Sequence, residues 1–104
     1  MAQENPMTVE FSAIPGIAEN TVMVSARGTN KSRGYVCRME ESPHEPFPPR
    51  ARLFNEAPTG MVAMAITDFE TNAIELATAD GQIDAIVEMP DGSQVKVPVG
   101  HGPG

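Results

Sequence analysis

The side chains best suited to chemistry are one cysteine and two histidines, and their spacing matches no catalytic or metal-binding pattern. Cys37 lies in an apolar run, His44 stands among prolines, and His101 is in a glycine-rich tail. A nucleophile needs a positioned base, and zinc needs closely spaced thiolate or imidazole ligands. A lone cysteine in a strand is more often a small buried apolar residue. We therefore predict no enzymatic activity, no cofactor and no metal site.

The acidic cluster and the glycine-bounded loop also lack the order of known ligand-binding motifs. Asp80, Asp84, Glu88 and Asp91 do not follow the alternating acids of a calcium loop. The segment 28–34 is basic, but it lacks the phosphate-loop order and leads into no helix. Nucleic-acid binding is disfavoured because the net charge is −7 and no basic stripe with interleaved aromatic residues is present.

The basic residues are concentrated in the first half of the chain. Residues 1–52 hold six bases and six acids, whereas residues 53–104 hold one base and eight acids. Such an uneven charge suits a protein that binds copies of itself or lies between unlike surfaces. We predict that bases and nearby apolar residues of the first half contact protein partners. The predicted partner-binding residues are Arg27, Lys31, Arg33, Phe47, Arg50, Arg52, Leu53 and Phe54.

The composition predicts which elements position these residues. A chain of 104 residues forms one domain with a modest core. Its fifteen valines and isoleucines against two leucines favour strands, because β-branched side chains suit a pleated surface. We predict a single all-β domain over residues 1–104, either a small antiparallel sandwich or an open barrel.

The first half is predicted to contain one hairpin behind an extended arm. Residues 1–19 form an N-terminal arm with a short strand at 7–11. The runs 21–26 and 34–39 alternate apolar and polar residues, as half-buried strands do. We expect them to pair as a basic hairpin over residues 27–38.

The second half is predicted to form a β-meander that ends in a flexible tail at 100–104. Asp80-Gly81 is a strong two-residue hairpin signal, and Pro90-Asp91-Gly92 favours a turn. One alternative stays open for residues 67–80. Thr67 to Glu70 fits a helix capping box and Gly81 fits a helix end, although the strand interpretation is favoured.

Residues 40–60 are predicted to form an irregular excursion. Five prolines in this segment remove backbone donors and restrict φ, which disfavours a helix or a central strand. The segment also carries Phe47, Leu53 and Phe54, which a purely solvated linker would usually lack. It is either a surface loop with a few residues folded onto the core or an arm that docks on a neighbouring subunit.

These observations favour a structural or accessory subunit that binds its neighbours in a larger assembly, copies of itself included. A small virion protein that decorates or cements a capsid is the most concrete form. The alternative is a soluble binding or inhibitory module that acts through the basic hairpin, and the third possibility is a small β-barrel ligand-binding domain or enzyme. The sequence contains no apolar run long enough to cross a membrane and no secretory signal pattern. We thus expect no membrane insertion, and synthesis in the cytoplasm with possible incorporation into a virion.

Overall fold

The computed structural model describes residues 3–42, 49–60, 62–78 and 84–100, and these form strands and loops only. No helix in this part of the chain is long and apolar enough to span a membrane. The eight strands are β1 (Thr8–Pro15), β2 (Thr21–Ser32), β3 (Val36–Glu41), β4 (Arg50–Glu56), β5 (Met64–Glu70), β6 (Ile74–Ala77), β7 (Asp84–Glu88) and β8 (Gln94–Pro98).

The strands form two four-stranded sheets, which confirms the all-β sandwich. In sheet 1 the long strand β2 pairs antiparallel with β1 on one side, and with β5 and then β6 on the other. Sheet 2 has the order β3-β4-β7-β8. Its pairings are antiparallel except that of β4 with β7, which is parallel.

The core lies between the sheets and consists of small and medium-sized apolar side chains. Each strand sends alternate residues inward, because side chains alternate across a strand. Burial of each larger side chain contributes roughly 1.5–3 kcal/mol. The buried apolar residues are Ala13, Val22, Val24, Ala26, Met39, Ala51, Leu53, Leu76, Ala85, Val87 and Val97.

Hydrogen bonds link the two sheets at both sides of the sandwich. At one side, the backbone N–H of Gly100, just after β8, donates to the carbonyl of Ala13 in β1 at 2.8 Å. At the other, the side-chain amide of Asn72 accepts from the N–H of Met39 and donates to its carbonyl, both at 3.1 Å. Asn72 thus forms hydrogen bonds with the backbone of Met39 at the outer edge of β3, where the backbone groups have no neighbouring strand among the described residues to pair with.

The predicted basic hairpin over residues 27–38 is wrong. Strand β2 continues to Ser32, and β3 begins at Val36 in the opposite sheet. The polar composition of this segment suggested a turn, but Asn30 and Ser32 are buried inward in a strand. The change of sheet occurs after β2, where Gly34 adopts a φ of 90° that disfavours residues with a Cβ.

The predicted C-terminal meander is also wrong as a pairing scheme. Strands β5 and β6 belong to sheet 1, whereas β7 and β8 belong to sheet 2, and only β7 and β8 pair with each other. The Asp80-Gly81 turn lies outside the described residues, and the strands on either side of it are in different sheets. The open question over residues 67–80 is answered for residues 67–78 by β5 and β6, since both are strands, and residues 79 and 80 lie outside the described residues.

The predicted irregular excursion at 40–60 is wrong for residues 50–56, because these residues form strand β4 inside sheet 2. A strand can form here because no proline lies between Pro49 and Pro58. Residues 43–48, with Phe47, and the tail at 101–104 lie outside the described residues. The N-terminal arm does not extend away from the domain, since Gln3 forms a β-bridge with Glu56 of the same chain.

Candidate protein-binding face

The outward side of sheet 2 brings four of the chain's cationic and aromatic side chains together. Strand β4 lies between β3 and β7, so its outward residues lie in the middle of the sheet. In the strand register, Arg38 is opposite Phe54 and Arg50 is opposite Ile86. We call this surface the arginine face. Its defining residues are Arg38, Arg50, Arg52 and Phe54.

Arg38 and Phe54 form a cation–π pair. The guanidinium carbon of Arg38 lies 3.7 Å from the centre of the Phe54 ring. The Nε of Arg38 also donates a hydrogen bond to Glu40, two residues along the same strand. These two contacts restrain the Arg38 guanidinium over the Phe54 ring, a contact that arginine makes more readily than lysine.

Arg52 lies between two acids of the neighbouring strands. The register sets Glu40 on one side of Arg52 and Glu88 on the other. The distance from Arg52 Nε to Glu88 Oε1 is 4.0 Å, and the Glu88 side chain is only 10% exposed. The Arg52 side chain keeps 45% exposure, so part of its fork of N–H donors is accessible from solvent.

An open cavity of about 360 Å³ borders the arginine face. It lies where β4, the turn after β7 and the N-terminal arm meet. Its walls combine the charged pair of Arg52 and Glu88 with the apolar Phe54 and Met89 and the amide of Gln94. A cavity of this kind can accept a side chain of another molecule that is mostly apolar and ends in a polar group. The polar group would then contact Arg52 and Glu88.

The N-terminal arm closes one side of this cavity. Asn5 donates from Nδ2 to Asp91 Oδ2 at 2.9 Å and accepts from the Asp91 backbone N–H at 3.2 Å. Ser93 donates to Asp91 Oδ1 from both its hydroxyl and its backbone N–H. The hydrogen bonds from Ser93, and to a smaller extent that from Asn5, hold the pKa of the Asp91 carboxyl below its usual value. The ionised carboxylate therefore fastens the arm to the turn.

Beneath the arm, a buried polar cluster joins the two sheets. The Asn55 amide donates to the Asn30 side-chain oxygen at 3.0 Å and to the Glu4 carbonyl at 2.9 Å. The Cys37 thiol donates to the Asn55 side-chain oxygen. Burial raises the pKa of Cys37, which keeps the thiol protonated and disfavours its use as a nucleophile. The geometry gives the cluster a structural role.

The remaining predicted partner-binding residues lie elsewhere. Leu53 lies in the core, where its side chain is fully buried. Arg27 is on the outward side of sheet 1, 3.3 Å from Glu10, and Lys31 is 3.3 Å from Glu4 of the arm. Arg33 follows β2 and is exposed. The predicted set thus includes two distant surfaces and one core residue.

Three contributors to the arginine face were absent from the predicted set: Arg38, Glu40 and Glu88. Arg38 and Glu40 are two residues apart, so the alternation of a strand places them on one side. What the sequence lacked was the pairing of β3 with β4, which brings Arg38 to Phe54. The parallel pairing of β4 with β7 brings in Glu88, and no local signal indicates that pairing.

Within the described residues, no group of three or more His, Cys, Asp and Glu side chains could hold a metal ion. Comparison with protein-family models, with curated proteins and with solved structures finds no match to this chain.

Proposed function

We propose that this protein is a non-enzymatic structural or accessory subunit that binds a neighbouring protein of a larger assembly through the arginine face. The observation that carries the proposal is the juxtaposition of Arg38, Arg52 and Phe54 on the middle of a sheet, beside an open cavity. Arginine and aromatic residues are the types enriched among residues that dominate protein interfaces.

The contacts within the arginine face support binding because they order its side chains in advance. The stack on Phe54 restrains Arg38, and flanking acids restrain Arg52. A partner then loses less side-chain freedom on association than it would with unrestrained arginines. Because the Arg52 side chain is 45% exposed, the partner surface that fits best presents carboxylates or backbone carbonyls to its guanidinium.

The apolar wall of the cavity indicates where a partner side chain would anchor. Phe54 and Met89 supply apolar surface, and Arg52 and Gln94 supply hydrogen-bond donors next to it. A capsid-decorating or capsid-cementing protein would be one instance of such a subunit. The support for it is the small size of the chain and the uneven distribution of charge between its two halves.

Chemical protection of arginines in the native source tests the proposal. Phenylglyoxal labelling would be compared between the purified chain and a gently prepared extract of the cells or particles that contain it. We expect Arg38 and Arg52 to lose reactivity in the extract, while Arg27 reacts equally in both. Equal reactivity of these three arginines in both samples would contradict the proposal.

A variant pair provides the matched control. Chains carrying Arg52→Ala with Phe54→Ala, or Arg27→Ala alone, would be expressed in the native source and separated by size exclusion without denaturation. We expect the wild type and the Arg27 variant to elute in a complex larger than the purified 11.1 kDa chain forms at the same concentration, and the double variant to elute with the purified chain. Elution of the wild type at the size of the free chain would also refute the proposal.

A further inference from the structure

Strand β5 has an unpaired side with an apolar start. It pairs with β2 on one side, and no other described strand pairs with its second side. Val62, Met64 and Ile66 are 41%, 75% and 66% exposed. Open edges are usually protected by charged residues or proline, and the stretch 62–67 contains neither. This half of the strand therefore has the character of an interface.

The charges around β5 differ between its two ends. At the apolar end, Met64 is opposite Ser32 of β2, and the exposed Arg33 follows Ser32 directly. At the other end β5 itself carries the acids Asp68 and Glu70. A rotation by 180° about the middle of the strand therefore brings the acidic end of each copy towards Arg33 of the other.

We propose that a second copy of this chain pairs antiparallel with β5 across a two-fold axis at Ala65. This register sets Met64 of each copy opposite Ile66 of the other, so the exposed apolar side chains cover one another. It also sets Asp68 opposite Val62, at the end of β5 that lies nearest to Arg33 of the other copy. Two-fold symmetry closes after two copies and makes one continuous sheet from the two copies of sheet 1.

This self-association does not depend on the proposed function. The arginine face belongs to sheet 2, and the β5 edge belongs to sheet 1. The two surfaces can be occupied together, and a substitution on one leaves the other intact. Failure of either proposal is thus seen separately.

Sedimentation velocity tests the dimer, with a charge-matched control. The wild-type chain would be compared with Ile66→Lys and with Ile17→Lys, whose parent side chain is 93% exposed outside the strands. We expect the wild type and Ile17→Lys to form dimers as the concentration rises from about 1 µM to about 1 mM, a range that covers weak interfaces. Ile66→Lys is expected to weaken the dimer at least tenfold. A monomeric wild type over this range, or an unchanged dimer in Ile66→Lys, would overturn the proposal.

Disulfide cross-linking tests the register. In a Cys37→Ser background, Ala65→Cys places the new thiol opposite its own copy, whereas Ser12→Cys places it on β1 at the far edge of the same sheet. Circular dichroism would verify that both variants keep the wild-type fold. We expect a covalent dimer from Ala65→Cys on mild oxidation and little from Ser12→Cys. Equal cross-linking of the two variants would refute the pairing of β5 with β5.

Discussion

The side chains on the two sides of strand β4 differ in burial and in chemical type. On the inward side, Ala51, Leu53 and Asn55 are fully buried. On the outward side, Arg52 is nearly half exposed, and Phe54 lies under the guanidinium of Arg38. Seven residues thus supply a part of the core, an anchor for the N-terminal arm and the middle of the candidate binding surface.

This difference predicts that stability and the proposed binding are separable along one strand, according to whether the residue number is odd or even. Odd positions from 51 to 55 are buried and hold the two sheets and the arm together, while at the even positions Arg52 is exposed and Arg50 and Phe54 are half-buried. The separation follows from the period of two in a strand. It also explains why adjacent residues that look alike in sequence, such as Leu53 and Phe54, have unlike roles.

The largest expected effect comes from the apolar residue on the inward side. Leu53→Ala removes a fully buried side chain and leaves a cavity, so we expect the free energy of unfolding to fall by about 2–5 kcal/mol. Phe54→Ala, its neighbour on the outward side, is expected to cost about 1 kcal/mol because it loses the contact with Arg38. Urea denaturation measures both. Equal losses would break the distinction between the two sides.

The next effect concerns the polar residue on the inward side. Asn55→Ala leaves the buried Asn30 and the Glu4 carbonyl without their hydrogen-bond partner, so we expect a loss of about 1–3 kcal/mol in the free energy of unfolding. Hydrogen exchange should also show faster exchange of the Glu4 amide, which donates to the Asn55 carbonyl. Glu56→Gln is the control and should remain within about 0.5 kcal/mol of wild type.

A smaller effect is expected for the charged residue on the outward side. Arg52→Ala should change the free energy of unfolding by about 1 kcal/mol or less, because its ion pair is long and partly exposed. Arg27→Ala, which breaks the exposed contact with Glu10, should cost no more. Thermal unfolding in low and high salt checks this. A loss comparable to that of Leu53→Ala would mean that the outward side supports the fold.

The smallest expected effect is pH-dependent and concerns the turn that holds the arm beside β4. The hydrogen bonds from Ser93 and Asn5 make the pKa of Asp91 lower in the folded chain than in the unfolded chain, so the unfolded chain binds the proton more tightly. The stabilisation is therefore present above about pH 4 and is lost as the pH falls through the folded pKa.

Comparison of the wild type with Asp91→Asn by urea denaturation tests this contribution. At about pH 6 the wild type should be slightly more stable, and the difference should shrink as the pH falls towards about 2 and the folded carboxyl takes up its proton. A difference that stays constant over this range would show that the charge of Asp91 contributes nothing to the attachment of the arm.

Much of the fold could be predicted from the sequence, since the β-branched composition indicated an all-β domain and the runs at 21–26, 34–39 and 60–67 indicated strands. The prediction was wrong where a local signal competed with a distant contact. The prolines around β4 concealed a strand that is stabilised by pairing with both β3 and β7. The polar residues at 28–32 suggested a turn because the partner that satisfies Asn30, the side chain of Asn55, is 25 residues away.

The sequence by itself determined the class of structure, the modest core and the concentration of bases in the first half of the chain. These properties follow from residue types and from alternation, which act over a few residues. Only the tertiary structure decided which strands pair, and therefore that Arg38 meets Phe54, that Arg52 lies between two acids, and that Leu53 is in the core. Those pairings join residues distant in the chain, and they depend on how two sheets bury their apolar sides against each other.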